Sequence, residues 1–218
     1  MTIAGKAFIA GAWEHPTRNA PDVSTAQLHA QCAAGALADA GLSLRDVDGY
    51  FCAGDAPGFG AMSMADYLGI APRHFDSTEM GGCSYIAFAT RAARAIAAGL
   101  CSVALITMAG RPRNEPFRGG RPGAPEAGFE SWIGGAMPAS YGLCAARHMH
   151  EYGTTREQLA WIKVAASHHA QHNPHAQLRD VVSVEQVIGA RPIAGPLGLL
   201  DCCVVTDGGG ALVLVLPS

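Results

Sequence analysis

Short apolar runs alternate with Ala-rich amphipathic stretches through the first half of the chain. Lys6 to Ala12 (KAFIAGA) predicts a strand, and Asp22-Val-Ser24-Thr25 then caps an Ala-rich helix that runs to about Ala40 and is stopped by Gly41. Val47 to Ala53 (VDGYFCA) is the next strand. A Gly/Pro-rich turn from Gly54 to Gly58 leads to a short helix around Met64 to Leu68, and His74 to Met80 is a third extended segment. After Gly81-Gly82, a helix from about Ser84 to Ala98 stops at Gly99, and Ser102 to Ala109 (SVALITMA) is an almost wholly apolar strand. Strands apolar on both faces, alternating with helices, predict a parallel sheet covered on two sides.

The periodicity disappears between Gly110 and about Ser140, where Arg, Gly and Pro dominate. A long irregular excursion inside a compact domain points to a functional loop or an interface. Helices are predicted at about Pro138 to Tyr152 and Thr155 to Gln171, with Asn173-Pro174 ending the second, and a third short one lies near Val184 to Ile188. The run from Gly208 to Leu216 predicts a buried closing strand.

Composition narrows the function classes. The 218 residues suffice for one large domain or two small ones, and 49% apolar against 15% charged residues excludes disorder. With a net charge of −3 and no basic stripe, no nucleic-acid partner is expected. Lys6 and Lys163 are the only lysines and neither has a site-like context, which argues against imine chemistry. The seven cysteines, odd in number and mostly in apolar runs, read as reduced thiols of a cytoplasmic protein. No run approaches the length of a membrane span, and the first residues do not read as a leader.

Met80-Gly81-Gly82-Cys83-Ser84 joins a predicted strand to a predicted helix. Paired glycines allow a sharp turn, and the first N–H groups of the helix point at whatever occupies it, so Cys83 is a candidate nucleophile. A small buried cysteine is the competing reading. Tyr141 and His148, beyond the irregular stretch, are candidate pocket residues. His168 and His172 share a helix face, but without a carboxylate partner no metal site is expected. Arg111, Arg113, Arg118 and Arg121 could contact phosphate or simply be solvated. Cys202-Cys203 is expected in the core, and Asp207-Gly-Gly-Gly210 reads as a phosphate turn or as a place where backbones pass closely.

Taken in order, these motifs resemble the thiolase superfamily, in the branch of sterol-carrier-protein thiolases and thiolase-like lipid-transfer proteins. The matching residues are Gly41-Leu42 and Asp46-Val-Asp48, then Gly81-Gly82-Cys83-Ser84 entering a helix that ends Ala-Ala-Gly99. They continue with Arg147-His148-Met-His-Glu-Tyr152-Gly153-Thr-Thr155 and with Pro196-Leu-Gly-Leu-Leu-Asp201-Cys202-Cys203 through Asp207-Gly-Gly-Gly-Ala-Leu-Val. The resemblance implies an α/β fold of α/β/α layers, a thiolase-like N-terminal half over residues 1–218 with a five-stranded mixed sheet and an inserted helical loop subdomain at about 110–205. In active thiolases the nucleophilic cysteine stands seventeen residues before the glycine matching Gly99, which is the position of Gly82 here. Cys83 is one residue later, about 100° further round a helix.

The implied activity makes or breaks a carbon–carbon bond of a CoA thioester. It is acyl transfer through Cys83, or retro-aldol cleavage of a lipid or steroid side-chain CoA ester, with the N–H groups of Cys83 and Ser84 holding the thioester oxygen and Gly82, Ser84, Tyr141 and His148 contacting substrate. The alternative is a non-catalytic acyl-CoA or lipid-binding subunit. No cofactor is expected beyond the CoA thioester as substrate. The expected partners are acyl-CoA, a homodimer mate through the sheet, a second thiolase half and an OB-fold protein.

Overall fold

The computed structural model describes residues 3–53, 56–115 and 137–217. Arg118 and Arg121 lie outside the described residues. The chain divides into two compact units, Met1–Pro116 with Thr206–Ser218, and Phe117–Val205.

The first unit is built on a five-stranded sheet whose strands are β1 (Phe8–Glu14), β2 (Gly49–Cys52), β3 (His74–Ser77), β4 (Val103–Gly110) and β7 (Gly208–Val215). Their order across the sheet is β1-β7-β4-β2-β3. The predicted parallel order holds for β3, β2 and β4, while β7 runs antiparallel to both β4 and β1, which makes the sheet mixed. Alternation of strands and helices could not reveal this, because β7 follows a long insertion and pairs back onto β4 without a crossover helix.

Helix α1 (Thr25–Asp39) starts where Ser24 Oγ accepts the Gln27 N–H at 3.1 Å, the cap the sequence predicts. With α2 (Ala61–Leu68) it covers one face, burying Cys32, Ala36, Leu37 and Met64 against Tyr50, Leu105 and Val213. Helix α3 (Ser84–Ala97) covers the other, packing Phe88, Ala92 and Ile96 on Phe51, Ala104 and Ile106. Adjacent strand residues thus serve opposite cores, which is why β2 is buried at all four positions. Burying the larger of these side chains, such as Leu105, Met64, Phe88 and Ile96, contributes about 1.5–3 kcal/mol each. Under α1, Thr107 Oγ1 bridges His29 Nδ1 at 2.9 Å and the Tyr50 hydroxyl at 2.7 Å, so the polar groups in this core are linked to one another.

The glycine run at the start of β7 is a close-approach site. A Cβ on Gly209 would stand 2.3 Å from Met108 O, so only glycine lets β7 pair with β4 here. Strand β1 runs two residues further than its apolar run predicts, because pairing with β7 continues to Glu14 opposite Gly210. Strand β3 stops at Ser77 rather than Met80, since residues 78–83 are taken by the turn into α3.

In the second unit, α4 (Met137–Tyr152), α5 (Arg156–Ala170) and α6 (Val184–Ile188) coincide with the three predicted helices to within a residue or so. Capping boxes start α5 at Thr155 with Gln158 and α6 at Ser183 with Gln186. A two-stranded ribbon, β5 (Pro192–Ala194) and β6 (Leu197–Gly198), is followed by a single 3₁₀ turn at Leu199–Asp201. Ala160, Val164 and Val187 form a small core with Val182, Val184 and Leu200. The expectation that Cys202-Cys203 is core is corrected: Cys202 is half-buried and Cys203 is exposed, just past that turn.

Candidate functional site

The parallel strands β2, β3 and β4 end on one side of the sheet, the place where open α/β sheets carry their sites. The turn after β3 lies there. It is closed by the Met80 N–H donating to Ser84 Oγ at 2.8 Å and the Ser84 N–H donating to Gly81 O at 3.0 Å. Gly81 has φ +62°, a left-handed conformation that glycine adopts without strain, and its N–H donates to Glu79 Oε1 at 3.0 Å. An ion pair from Arg91 on α3 to Asp76 on β3, 2.9 Å long, ties the helix to the strand that feeds the turn.

Gly82, Cys83 and Ser84 follow one another through the end of this turn and into the helix. Cys83 is exposed at the N-cap of α3 with helical backbone angles, not a buried packing cysteine. Ser84 is fully buried and its hydroxyl is turned into the turn. Its N–H is committed to Gly81 O, which corrects the expectation that it would hold a substrate oxygen. The Cys83 N–H has no acceptor among the described residues. Gly82 is exposed, and a Cβ placed on it would meet nothing within 4 Å. The tip of the turn thus has room for a side chain and carries none.

Tyr141 and His148 lie on α4 of the second unit, both exposed. With Cys144 and Tyr152 they follow a spacing of three, four and four residues that sets them on one helix face, away from Gly142, which packs on the β5–β6 ribbon. His148 Nδ1 is 3.0 Å from Thr154 Oγ1 and its ring lies 4.7 Å from that of Tyr152, so the imidazole is held in place with its other nitrogen directed elsewhere. Sequence reasoning misses Cys144, Tyr152 and Thr154 as neighbours of this face, although the helical period from Tyr141 and His148 points to the first two.

Arg111 is not free for phosphate. Its guanidinium donates to Ala20 O at 2.8 Å, to Pro21 O at 3.1 Å and to Glu115 Oε1 at 2.7 Å. Beside it, Asp207 is buried at 1% exposure. Its carboxylate accepts the Ala20 N–H at 2.9 Å, the Arg113 N–H at 2.8 Å, the Asn114 N–H at 3.3 Å and the Asn114 side-chain amide. Burial pushes this carboxyl up, but these donors more than offset it and hold the group below the usual carboxylate range. Among the cysteines, burial pushes Cys32 up to about 12 and, with help from the Asp48 charge, Cys101 up to about 11.

His168, His169, His172 and His175 are exposed at and beyond the C-terminal end of α5. Among the described residues no three His, Cys, Asp or Glu side chains are grouped so as to hold a metal ion. No helix among the described residues is long and apolar enough to cross a membrane.

No family model matches the chain. It is 32% identical over 203 residues to an acetyl-CoA acetyltransferase of Methanothermobacter thermautotrophicus, covering 88% of this chain and 52% of that protein. It is 33% identical over 226 residues to a steroid side-chain-cleaving aldolase of Thermomonospora curvata, covering 98% of this chain and 57% of the relative. The fold superposes on a solved Ltp2–ChsH2(DUF35) aldolase with a TM-score of 0.85 and 32% identity, over 97% of this chain and 56% of that one. The chain thus spans about half the length of the relatives it matches.

Proposed function

Because the chain belongs to the thiolase superfamily, matching its N-terminal half, we propose that it is part of an acyl-CoA enzyme that breaks a carbon–carbon bond of a CoA thioester by retro-aldol cleavage. The observation that carries this reading is Gly82. Counted back seventeen residues from Gly99 it takes the position that the resemblance gives to the nucleophile of active thiolases, and it lies in a turn with space for a side chain. Retro-aldol cleavage needs no covalent nucleophile. A base takes the proton of the β-hydroxyl, the Cα–Cβ bond breaks, and its electron pair moves onto the thioester carbonyl as an enolate. Protonation at Cα then yields the shortened acyl-CoA, and the carbonyl product leaves.

In this scheme the chain contributes an N–H for the enolate oxygen, for which Cys83 is the candidate, since preorganised donors are worth most where charge develops. Tyr141 and His148 are the candidates for acyl contact from the second unit, which we read as the inserted loop subdomain. The acid and base groups come from the second half. The two-part name of the solved Ltp2–ChsH2(DUF35) aldolase supports a second protein as partner; we read that partner as an OB-fold protein, as the family resemblance implies, and place a homodimer mate on the sheet as part of the same proposal. A cytoplasmic location agrees with seven free thiols.

The second reading is thiolase-type acyl transfer, favoured by the exposure of Cys83 at a helix N-terminus. There the Cys83 thiolate attacks the thioester carbonyl, CoA leaves as its thiolate, and the acyl group is carried on sulfur until the α-carbon of a second acyl-CoA, deprotonated by a base, attacks it, forming the carbon–carbon bond and releasing the Cys83 thiolate. One experiment separates the two. The native complex, with its co-purifying chains, is given a β-hydroxyacyl-CoA and, separately, a β-ketoacyl-CoA with free CoA, and CoA products are followed by mass. Cleavage retained in Cys83→Ala supports the aldol reading, whereas loss of turnover with a trapped acyl-Cys83 in the parent protein supports acyl transfer. Binding of CoA esters without turnover would leave a non-catalytic binding subunit.

A further inference from the structure

We propose that Asp207 is an anchor that fastens both chain connections of the second unit to one point of the first, a role independent of the reaction. The outgoing connection, Arg111 to Glu115, follows β4, and the returning one, Thr206 and Asp207, precedes β7. Asp207 Oδ1 accepts the Arg113 and Asn114 N–H groups, at 2.8 and 3.3 Å, and Oδ2 accepts the Ala20 N–H at 2.9 Å together with Asn114 Nδ2. One carboxylate therefore joins three segments that are remote in sequence. The Asp207 N–H adds a bond to Arg18 O at 3.1 Å, and Asn114 Nδ2 also donates to Asn19 Oδ1 at 2.8 Å.

The segment around Ala20 is the fixed point. Its N–H goes to Asp207 and its carbonyl takes the Arg111 guanidinium, so returning and outgoing connections grip the same residue from its two polar ends. Arg111 is in turn held by Glu115, whose other oxygen accepts from Thr25 Oγ1 at 3.3 Å at the start of α1. The charged groups around the anchor are thus Arg18, Arg111, Arg113 and Glu115, and among the described residues none forms a direct ion pair with Asp207. A buried carboxylate without a countercharge persists only if its lone pairs are filled, and here three of the four donors are backbone groups that no side-chain replacement elsewhere can supply. An ordinary linker would be two independent flexible strands. This arrangement makes the two connections open and close together.

The test is residue-resolved hydrogen exchange on the intact protein, comparing the parent with Asp207→Asn and Asn114→Ala. Asn at 207 keeps the volume but turns an NH₂ toward groups that are themselves donors. Expected is an acceleration of about 10-fold or more at the Ala20, Arg113 and Asn114 amides together, with the Leu105 and Val213 amides of the central strands within about threefold of the parent. Asn114→Ala, which leaves the carboxylate in place, should give a smaller acceleration at Ala20 and Arg113 and serves if Asp207→Asn does not fold. Unchanged exchange at those amides, or equal acceleration at Leu105 and Val213, would overturn the proposal.

Discussion

Arg156 and Asp201 form a two-pronged ion pair, 2.6 and 3.1 Å long, that joins the first residue of α5 to the 3₁₀ turn beyond the β5–β6 ribbon. Asp201 Oδ2 also accepts the Gly198 N–H at 2.7 Å, so removing the carboxylate strands both a guanidinium and a backbone donor. The side chains are only 19% and 8% exposed, which limits screening by water. Asp201→Ala should destabilise the second unit by about 2–4 kcal/mol, and Arg156→Lys should recover only part of the loss of Arg156→Ala because ammonium cannot make the fork. Urea unfolding followed by a probe in that unit, such as Trp161 fluorescence, would read this, and a change below about 0.5 kcal/mol would contradict it.

The glycines of the sheet and of the turn should respond oppositely. Gly209→Ala drives a methyl against Met108 O, a backbone atom that cannot move without parting β4 from β7, and should cost about 3 kcal/mol or prevent folding. Gly82→Ala meets open space and should stay within about 1 kcal/mol of the parent. Thermal unfolding of the pair is sufficient, and equal losses would be the wrong outcome.

Thiol reactivity should follow burial. At pH 8, iodoacetamide should label Cys83, Cys144 and Cys203 quickly, since all three are exposed. Cys32 and Cys101 should stay unlabelled until the protein unfolds, because burial pushes their thiols up to about 12 and about 11 and leaves almost no thiolate at that pH. Peptide mass mapping over a time course checks the order.

Acid should weaken what Asp207 contributes. Its folded-state carboxyl lies below the ordinary value near 3.9, so its stabilisation is complete above that value and is lost as pH falls through the lower folded one. The stability gap between parent and Asp207→Asn should therefore be constant around neutrality and narrow only in acid below about pH 4. A gap that narrows between pH 5 and 7 would implicate another group.

Local patterns along the chain reveal the elements, whereas the contacts that depend on distant partners stay hidden in them. Alternating apolar runs mark β2, β4, β7 and their helices because each buries a face at its own period, and Ser24, Thr155 and Ser183 announce helix starts because capping is local. The turn at Gly81 and Gly82 and the cysteine beside it are legible as a motif. That the Ser84 N–H is spent on Gly81 is not, since it depends on how sharply the turn closes. Asp207 reads as part of a glycine turn because its partners at Ala20, Arg113 and Asn114 are between 93 and 187 residues away, beyond any local pattern. Cys203 misleads because its apolar neighbours suggest a core that the short 3₁₀ turn leaves open.

The antiparallel register of β4 and β7, from Val103 opposite Val215 to Gly110 opposite Gly208, has a topological corollary. The two strands form a β-hairpin whose loop is the entire second unit with its two connections, roughly a hundred residues long. Closing a loop of that size rather than one of about five residues costs only about 2–3 kcal/mol of chain entropy, because the penalty grows with the logarithm of length. A tight turn spliced between the residues flanking Gly110 and Gly208 would preserve the strand pairing, which makes the second unit an interchangeable cassette carried on an otherwise continuous sheet.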